Sequence, residues 1–227
     1  MSGERTINGT TGELIEAIER ADTAEALVRA TQRLAFHGEA LADPAGIACL
    51  LQVLNFNNPG AAVAAVEGLI RRGSAAVEPL LQGIDPHNYG ARAWAIRALA
   101  GIGDVRGLEI LEEALATDVG PSVRRAAARG LGGLDLSGLE PARRLGTRER
   151  ILRALEEGGQ DGEWVVRYAV VAGLETLAAP LPAEDAMRGR ATAAVGARSD
   201  PDREDTAVVR LRAGLALQRL SFSPSPR

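Results

Sequence analysis

Apolar residues return every three or four positions along this chain, in short blocks broken by polar pairs, proline and glycine. Leu14, Ile15 and Ile18 fall on one helical face, and so do Leu27, Val28 and Leu34. That spacing predicts amphipathic helices with one apolar stripe turned to a core. The starts are marked as well. Thr10 with Glu13 and Asp22 with Glu25 read as capping boxes, and Asp43-Pro44 and Asn58-Pro59 each place a capping side chain before a proline at the first helical position. Gly73, Gly103 and Gly133 follow amphipathic stretches, as C-terminal caps do. The intervals are short, so successive helices should run antiparallel.

The helices also repeat. Arg92-Ala-Trp-Ala-Ile-Arg-Ala-Leu99, Arg124-Arg-Ala-Ala-Ala-Arg-Gly-Leu131, Arg167-Tyr-Ala-Val-Val-Ala-Gly-Leu174 and Arg210-Leu-Arg-Ala-Gly-Leu-Ala-Leu217 share arginine and leucine seven positions apart with small residues between. Ala62 to Leu69 is a degenerate copy without the arginine. Seven positions return arginine and leucine to nearly one face two turns on, and the small residues admit a neighbouring helix closely. This is the pattern of an inner helix in a HEAT-type repeat. The fold class expected is all-α, a right-handed α-solenoid of about five HEAT-like repeats forming one domain over residues 1–220. Residues 1–40 should cap one end and 221–227 should be a disordered tail. Leu136–Pro141 and Ala179–Ala183 break the helical pattern and read as lengthened connections between repeats.

Composition supports this picture and removes several chemistries. Hydrophobic residues make up 46% of the chain but aromatics only 3%, which favours helices with thin seams over sheets. All 26 basic residues are arginine, so a lysine Schiff base or a P-loop lysine is impossible. A net charge of −4 argues against nucleic acid as a partner. A single cysteine, Cys49, excludes an internal disulfide and zinc-ribbon chemistry; it sits among leucines and should be a packed thiol. His37 should be a solvated residue closing a helix, and no metal site is expected from two distant histidines. The Gly101–Gly107 stretch follows a helix and reads as a turn, not a phosphate loop. No signal peptide and no apolar run of ~18 residues is evident, so a soluble, cytosolic protein without a membrane span is expected.

The candidate chemistry lies where aromatics meet arginines. Tyr89, Arg92, Trp94 and Arg97 gather at one helix start, and Trp164, Arg167 and Tyr168 repeat the combination in a later repeat. Such residues can bind neighbouring repeats, or they can form a surface for a flat conjugated ligand with carboxylates, rings stacking and guanidiniums pairing with the acids.

At these residues the sequence resembles a known family. Phe56–Val66, Asn88–Asp104, Ser122–Leu131 and Glu163–Tyr168 look like the E/F-type phycobilin lyases, and most like the F subunits of those acting on the phycocyanin α chain. The resemblance spans about Ala21 to Leu220. It implies a helical solenoid working as a heterodimer with an E-type lyase subunit. The pair would take an open-chain tetrapyrrole, usually phycocyanobilin, as substrate, with no tightly bound cofactor. It would deliver the bilin to one cysteine of a phycobiliprotein α subunit, a thioether forming at the ethylidene group of ring A. Relatives that also isomerise the bilin carry a short motif with His and Cys. Pro86-His-Asn-Tyr-Gly90 has no cysteine nearby, so attachment without isomerisation is expected.

On this reading Arg92, Arg97, Arg124, Arg125 and Arg167 supply guanidiniums for the propionates, and Tyr89, Trp94, Trp164 and Tyr168 shape the ring pocket. Tyr89, His87 and Asp85 are the candidates for proton transfer. The competing readings are a HEAT scaffold that binds protein only and a relative acting on phycoerythrin. Covalent colour on a co-expressed acceptor separates the first, and the absorption of the product separates the second.

Overall fold

The computed structural model describes residues 9–38, 43–84 and 87–222, and it divides into two compact units, Met1–Ile102 and Gly103–Arg227. Asp85, Pro86 and residues 223–227 lie outside the described residues. Each unit is a stack of three antiparallel helical hairpins, the repeat architecture of α-solenoids.

In the first unit the helices are α1 (Thr11–Glu19), α2 (Ala24–Phe36), α3 (Pro44–Val53), α4 (Pro59–Arg72), α5 (Ser74–Gly83) and α6 (Tyr89–Ile102). One layer is α1, α3 and α5, and the inner layer is α2, α4 and α6, with α4 packed between its two neighbours. The second unit repeats the plan with α7 (Leu108–Thr117), α8 (Pro121–Gly132), α9 (Pro141–Gly158), α10 (Trp164–Ala178), α11 (Ala186–Ala197) and α12 (Ala207–Phe222). Here α8, α10 and α12 form the inner layer. Among the described residues, strand-like pairing is limited to one isolated bridge, Asp104 with Asp135.

The helix starts follow their capping residues. The Thr10 hydroxyl accepts from Glu13 N at 3.3 Å while Thr10 N donates to Glu13 Oε2 at 2.7 Å, a closed capping box. Asp43 and Asn58 cap α3 and α4 ahead of Pro44 and Pro59. The start of α2 falls one residue later than the spacing suggests: Thr23, not Asp22, accepts from Ala26 N at 3.1 Å. At the other end, α12 continues through Phe222, so Ser221 and Phe222 are helical and not part of a disordered tail.

The core is aliphatic. Leu14, Leu34, Leu50, Leu69, Leu80 and Ile96 are sealed in the first unit, and Leu111, Leu131, Ile151, Leu152, Leu155 and Val170 in the second. Each such side chain contributes about 1.5–3 kcal/mol on burial. The seams are as thin as the composition implies. Between α8 and α10 a Cβ built on Gly132 would lie 2.2 Å from the Gly173 carbonyl oxygen, and one on Gly173 would lie 2.5 Å from that of Ala128. Backbone meets backbone there, and no side chain fits.

Arginines with little exposure, Arg72 and Arg188 buried and Arg144 partly buried, tie carbonyls of neighbouring segments. Arg72 donates to Gly68 O at 2.8 Å and to Leu34 O at 3.1 Å. Arg188 reaches the carbonyls of Leu181 and Leu220. Arg144 holds the α8–α9 connection by donating to the carbonyls of Leu136, Ser137 and Leu139. Guanidiniums thus reach carbonyls near helix ends, at Leu34, Gly68 and Leu220, and in the connections, at Leu136, Ser137, Leu139 and Leu181. His37 departs from expectation. It closes α2 but is buried rather than solvated, and its Nδ1 has no partner among the described residues. The chain turns inward at this point (ψ 117°) and carries the ring under the hairpin.

Candidate functional site

In the first unit, α6 begins at Tyr89 because the Asn88 amide oxygen caps it, accepting from Ala91 N at 3.0 Å. Tyr89 is thereby set at the rim, 47% exposed. The Arg92 guanidinium lies 5.8 Å from the Tyr89 ring centre, and Arg97 lies 5.6 Å from that of Trp94. Both are cation–π distances. Arg97 is exposed; Trp94 and Arg92 are half-buried. α6 therefore displays two aromatic–guanidinium pairs, one at its start and one further along. His87 is exposed beside this start. Asp85, the acidic candidate, lies outside the described residues.

In the second unit the predicted residues separate into two kinds. Arg124 and Arg167 face inward and are held by the protein itself. Arg124 Nε and Nη2 grip Asp161 at 2.6 and 2.9 Å, and its Nη1 donates to the carbonyls of Asp118 and Val119. Arg167 grips Glu204 at 2.8 and 2.7 Å and donates to the carbonyls of Asp161 and Gly162. These are bidentate, charge-assisted pairs. The hydrogen bonds to Asp161 raise the pKa of Arg124 further. Burial pushes Asp161 up, but Arg124 and the Glu163 N–H outweigh it and hold the carboxyl below its usual range. The Arg167 hydrogen bonds bring Glu204 down to about 2, against burial.

The remaining predicted residues face outward. Trp164, the first residue of α10, is 45% exposed, and Tyr168 one turn on is 37% exposed with Arg212 of α12 at 5.9 Å from its ring centre. Arg125 is exposed on α8 and has no partner among the described residues. Sequence reasoning missed Arg129, equally exposed one turn further along α8. It occupies the repeat position that Arg97 occupies in α6, which is the signal that could have found it. Also missed were the carboxylates that hold the inward arginines, Asp161 and Glu204, although each stands six residues before a motif arginine.

Other reactive groups are withdrawn. Cys49 is buried, and burial with the nearby Glu19 charge pushes its thiol up to about 11, against the pull of Arg72. Among the described residues no cluster of His, Cys, Asp and Glu is placed to hold a metal ion, and no helix is long and apolar enough to cross a membrane.

Comparison with known proteins matches the fold that carries these residues. A family model for HEAT repeats covers residues 47–132. The phycocyanin alpha phycocyanobilin lyase CpcF of Synechocystis sp. strain PCC 6803 is 49% identical over 178 residues, 78% of this chain and 81% of that protein. A phycobilisome maturation protein of Synechococcus elongatus is 45% identical over 210 residues, 92% of this chain and 97% of that protein. Among solved structures, a chain from the complex of CpcE and CpcF of phycocyanin lyase from Nostoc sp. PCC 7120 has a TM-score of 0.69 at 40% identity, covering 77% of this chain and 99% of its own. A designed armadillo repeat protein, with TM-score 0.57 and 15% identity over 93% of this chain and all of its own, shares the fold alone.

Proposed function

This chain belongs to the phycocyanobilin lyase family, as an F-type (beta) subunit, and on that premise we propose that it works with an E-type subunit to attach a bilin to a phycobiliprotein α chain. The bilin is substrate, not cofactor. The acceptor's cysteine thiol adds across the ethylidene double bond of ring A. A carbon–sulfur bond forms, the thiol proton passes to the tetrapyrrole, and no oxidant or reductant is consumed. Attachment proceeds without isomerisation, so the product carries the phycocyanobilin conjugation less the ethylidene double bond, and not that of an isomer.

The observation that carries this reading is the exposed array of arginines and aromatics on inner helices of a family member. Within the second unit, Arg125 and Arg129 stand on α8 with Trp164 and Tyr168 on α10, and they supply the cations and ring faces that a dicarboxylate chromophore requires. Within the first unit, Trp94 with Arg97 and Tyr89 with Arg92 offer the same chemistry. Arg124 and Arg167 position these side chains by fixing the loops in front of α8 and α10. The thiol of Cys49 is buried and poorly ionised, so it is no covalent carrier of the bilin. What the protein adds is orientation, worth ~7–11 kcal/mol in the best intramolecular cases. Tyr89 and His87, both exposed, are the groups able to move the proton.

Co-expression with an E-type subunit, a bilin source and a phycocyanin α subunit should give an acceptor that stays coloured in denaturant. Replacing Arg125 and Arg129 by alanine should lower transfer by about 10- to 100-fold per guanidinium, the loss of a charged hydrogen bond each, with the melting temperature unchanged. Undiminished transfer by the double variant would remove the role assigned to them. Cys49→Ala should transfer at the wild-type rate.

A further inference from the structure

The inner helices of the second unit share one clamp. Arg124, Arg167 and Arg210 each use Nη1 to bind the carbonyls five and six residues earlier, Asp118 and Val119, Asp161 and Gly162, and Glu204 and Asp205. The other edge of Arg124 takes Asp161, and that of Arg167 takes Glu204, each a carboxylate from the loop that opens the next inner helix. At Arg210 the same edge, Nε and Nη2, has no partner among the described residues.

The position four residues further repeats the contrast. Ala128 and Val171 are sealed, whereas Gly214 is exposed and a Cβ there would meet nothing within 4 Å. Leu211 is 74% exposed and Leu215 41%. Together with Gln218, these residues line a groove of about 550 Å³ along α12. It is open and lined by one face of a single helix, with Leu211 and Leu215 as its apolar side chains, and its Arg210 cation asks for a carboxylate.

The geometry points to α12 as the docking seat for a helical hairpin of another chain, the E-type subunit, which brings a carboxylate to Arg210 and apolar side chains to Leu211 and Leu215. This rests on the heterodimer proposed above. Ser223–Arg227, which follow α12, carry no acidic side chain and contain two prolines, so no side chain of theirs can supply the carboxylate. A second copy seated here would make a head-to-tail contact, which gives rings or fibres in place of a heterodimer.

The test is assembly of the full chain with its E-type subunit, read by analytical ultracentrifugation without bilin or acceptor. Gly214→Trp fills the seat without touching the chain's own packing, and Leu211→Glu opposes a carboxylate. Each should weaken association by about 30-fold or more, as loss of a buried charged contact does, while circular dichroism and melting match wild type. Arg153→Glu, on the exposed face of α9, should assemble normally. Undiminished association of Gly214→Trp overturns the proposal, even if bilin transfer proceeds and the functional reading stands. A wild-type oligomer of this chain alone that Gly214→Trp dissolves also overturns it, because the seat then belongs to a second copy. Failure of the wild-type chain to bind the E-type subunit overturns both.

Discussion

The two units build the same hairpin stack with different bonds between successive hairpins. In the first unit the links made by the residues that open the inner helices are neutral amides. Asn58 caps α4 with its oxygen and donates its Nδ2 to Ala24 O at 3.1 Å, and Asn88 caps α6 while reaching Asn55 at 3.4 Å. In the second unit the link is ionic, Arg124 to Asp161 and Arg167 to Glu204, with side chains no more than 16% exposed. The amide link costs little desolvation and contributes little. The ionic link commits buried charges to one geometry, so it punishes loss of either partner far more than its presence rewards. One consequence is that the outward-facing residues of the second unit stand on a scaffold whose loops cannot drift.

The contrast can be broken in order of effect. Arg167→Ala takes the bidentate partner from the buried Glu204 carboxylate, leaving it Arg198 at 3.7 Å, and should cost about 3–5 kcal/mol, with the loss of amide-exchange protection confined to α10 and α12. Acid should then separate the units. The Glu204 carboxyl has a folded pKa of about 2 against an ordinary 4.5, so its stabilisation is complete above pH 4.5 and drains away as the pH falls toward 2. Exchange in α10–α12 should rise over that window. The contribution of Asn58 and Asn88 does not titrate, so the α2–α4 seam should show no rise from this cause. Asn58→Ala should cost about 1 kcal/mol, the usual value of a helix cap, at any pH. Arg125→Ala should change stability by less than about 0.5 kcal/mol, although Arg125 adjoins Arg124 in sequence. A large destabilisation there would show that the division between inward and outward arginines is wrong.

Much of this was legible in the sequence. The capping pairs at Thr10, Asp43 and Asn58 and the Arg-to-Leu repeats placed the helices, because these signals act within a turn or two of chain. The repeat motif could not say which of two adjacent arginines turns inward. Arg124 and Arg125 differ by one helical step of 100°, and the choice depends on Asp161, 37 residues away. His37 was misread as solvated for a related reason. Its burial depends on tertiary packing, which no local pattern encodes.

The glycine seam between α8 and α10 has a mechanical meaning. Two backbones in direct contact leave no rotamer to absorb a slip, so these helices behave as though riveted. Arg125 and Arg129 ride on one of them, Trp164 and Tyr168 on the other. The spacing of the backbone positions that carry cation and ring is therefore set by main-chain dimensions, a ruler that no side-chain rotamer can stretch.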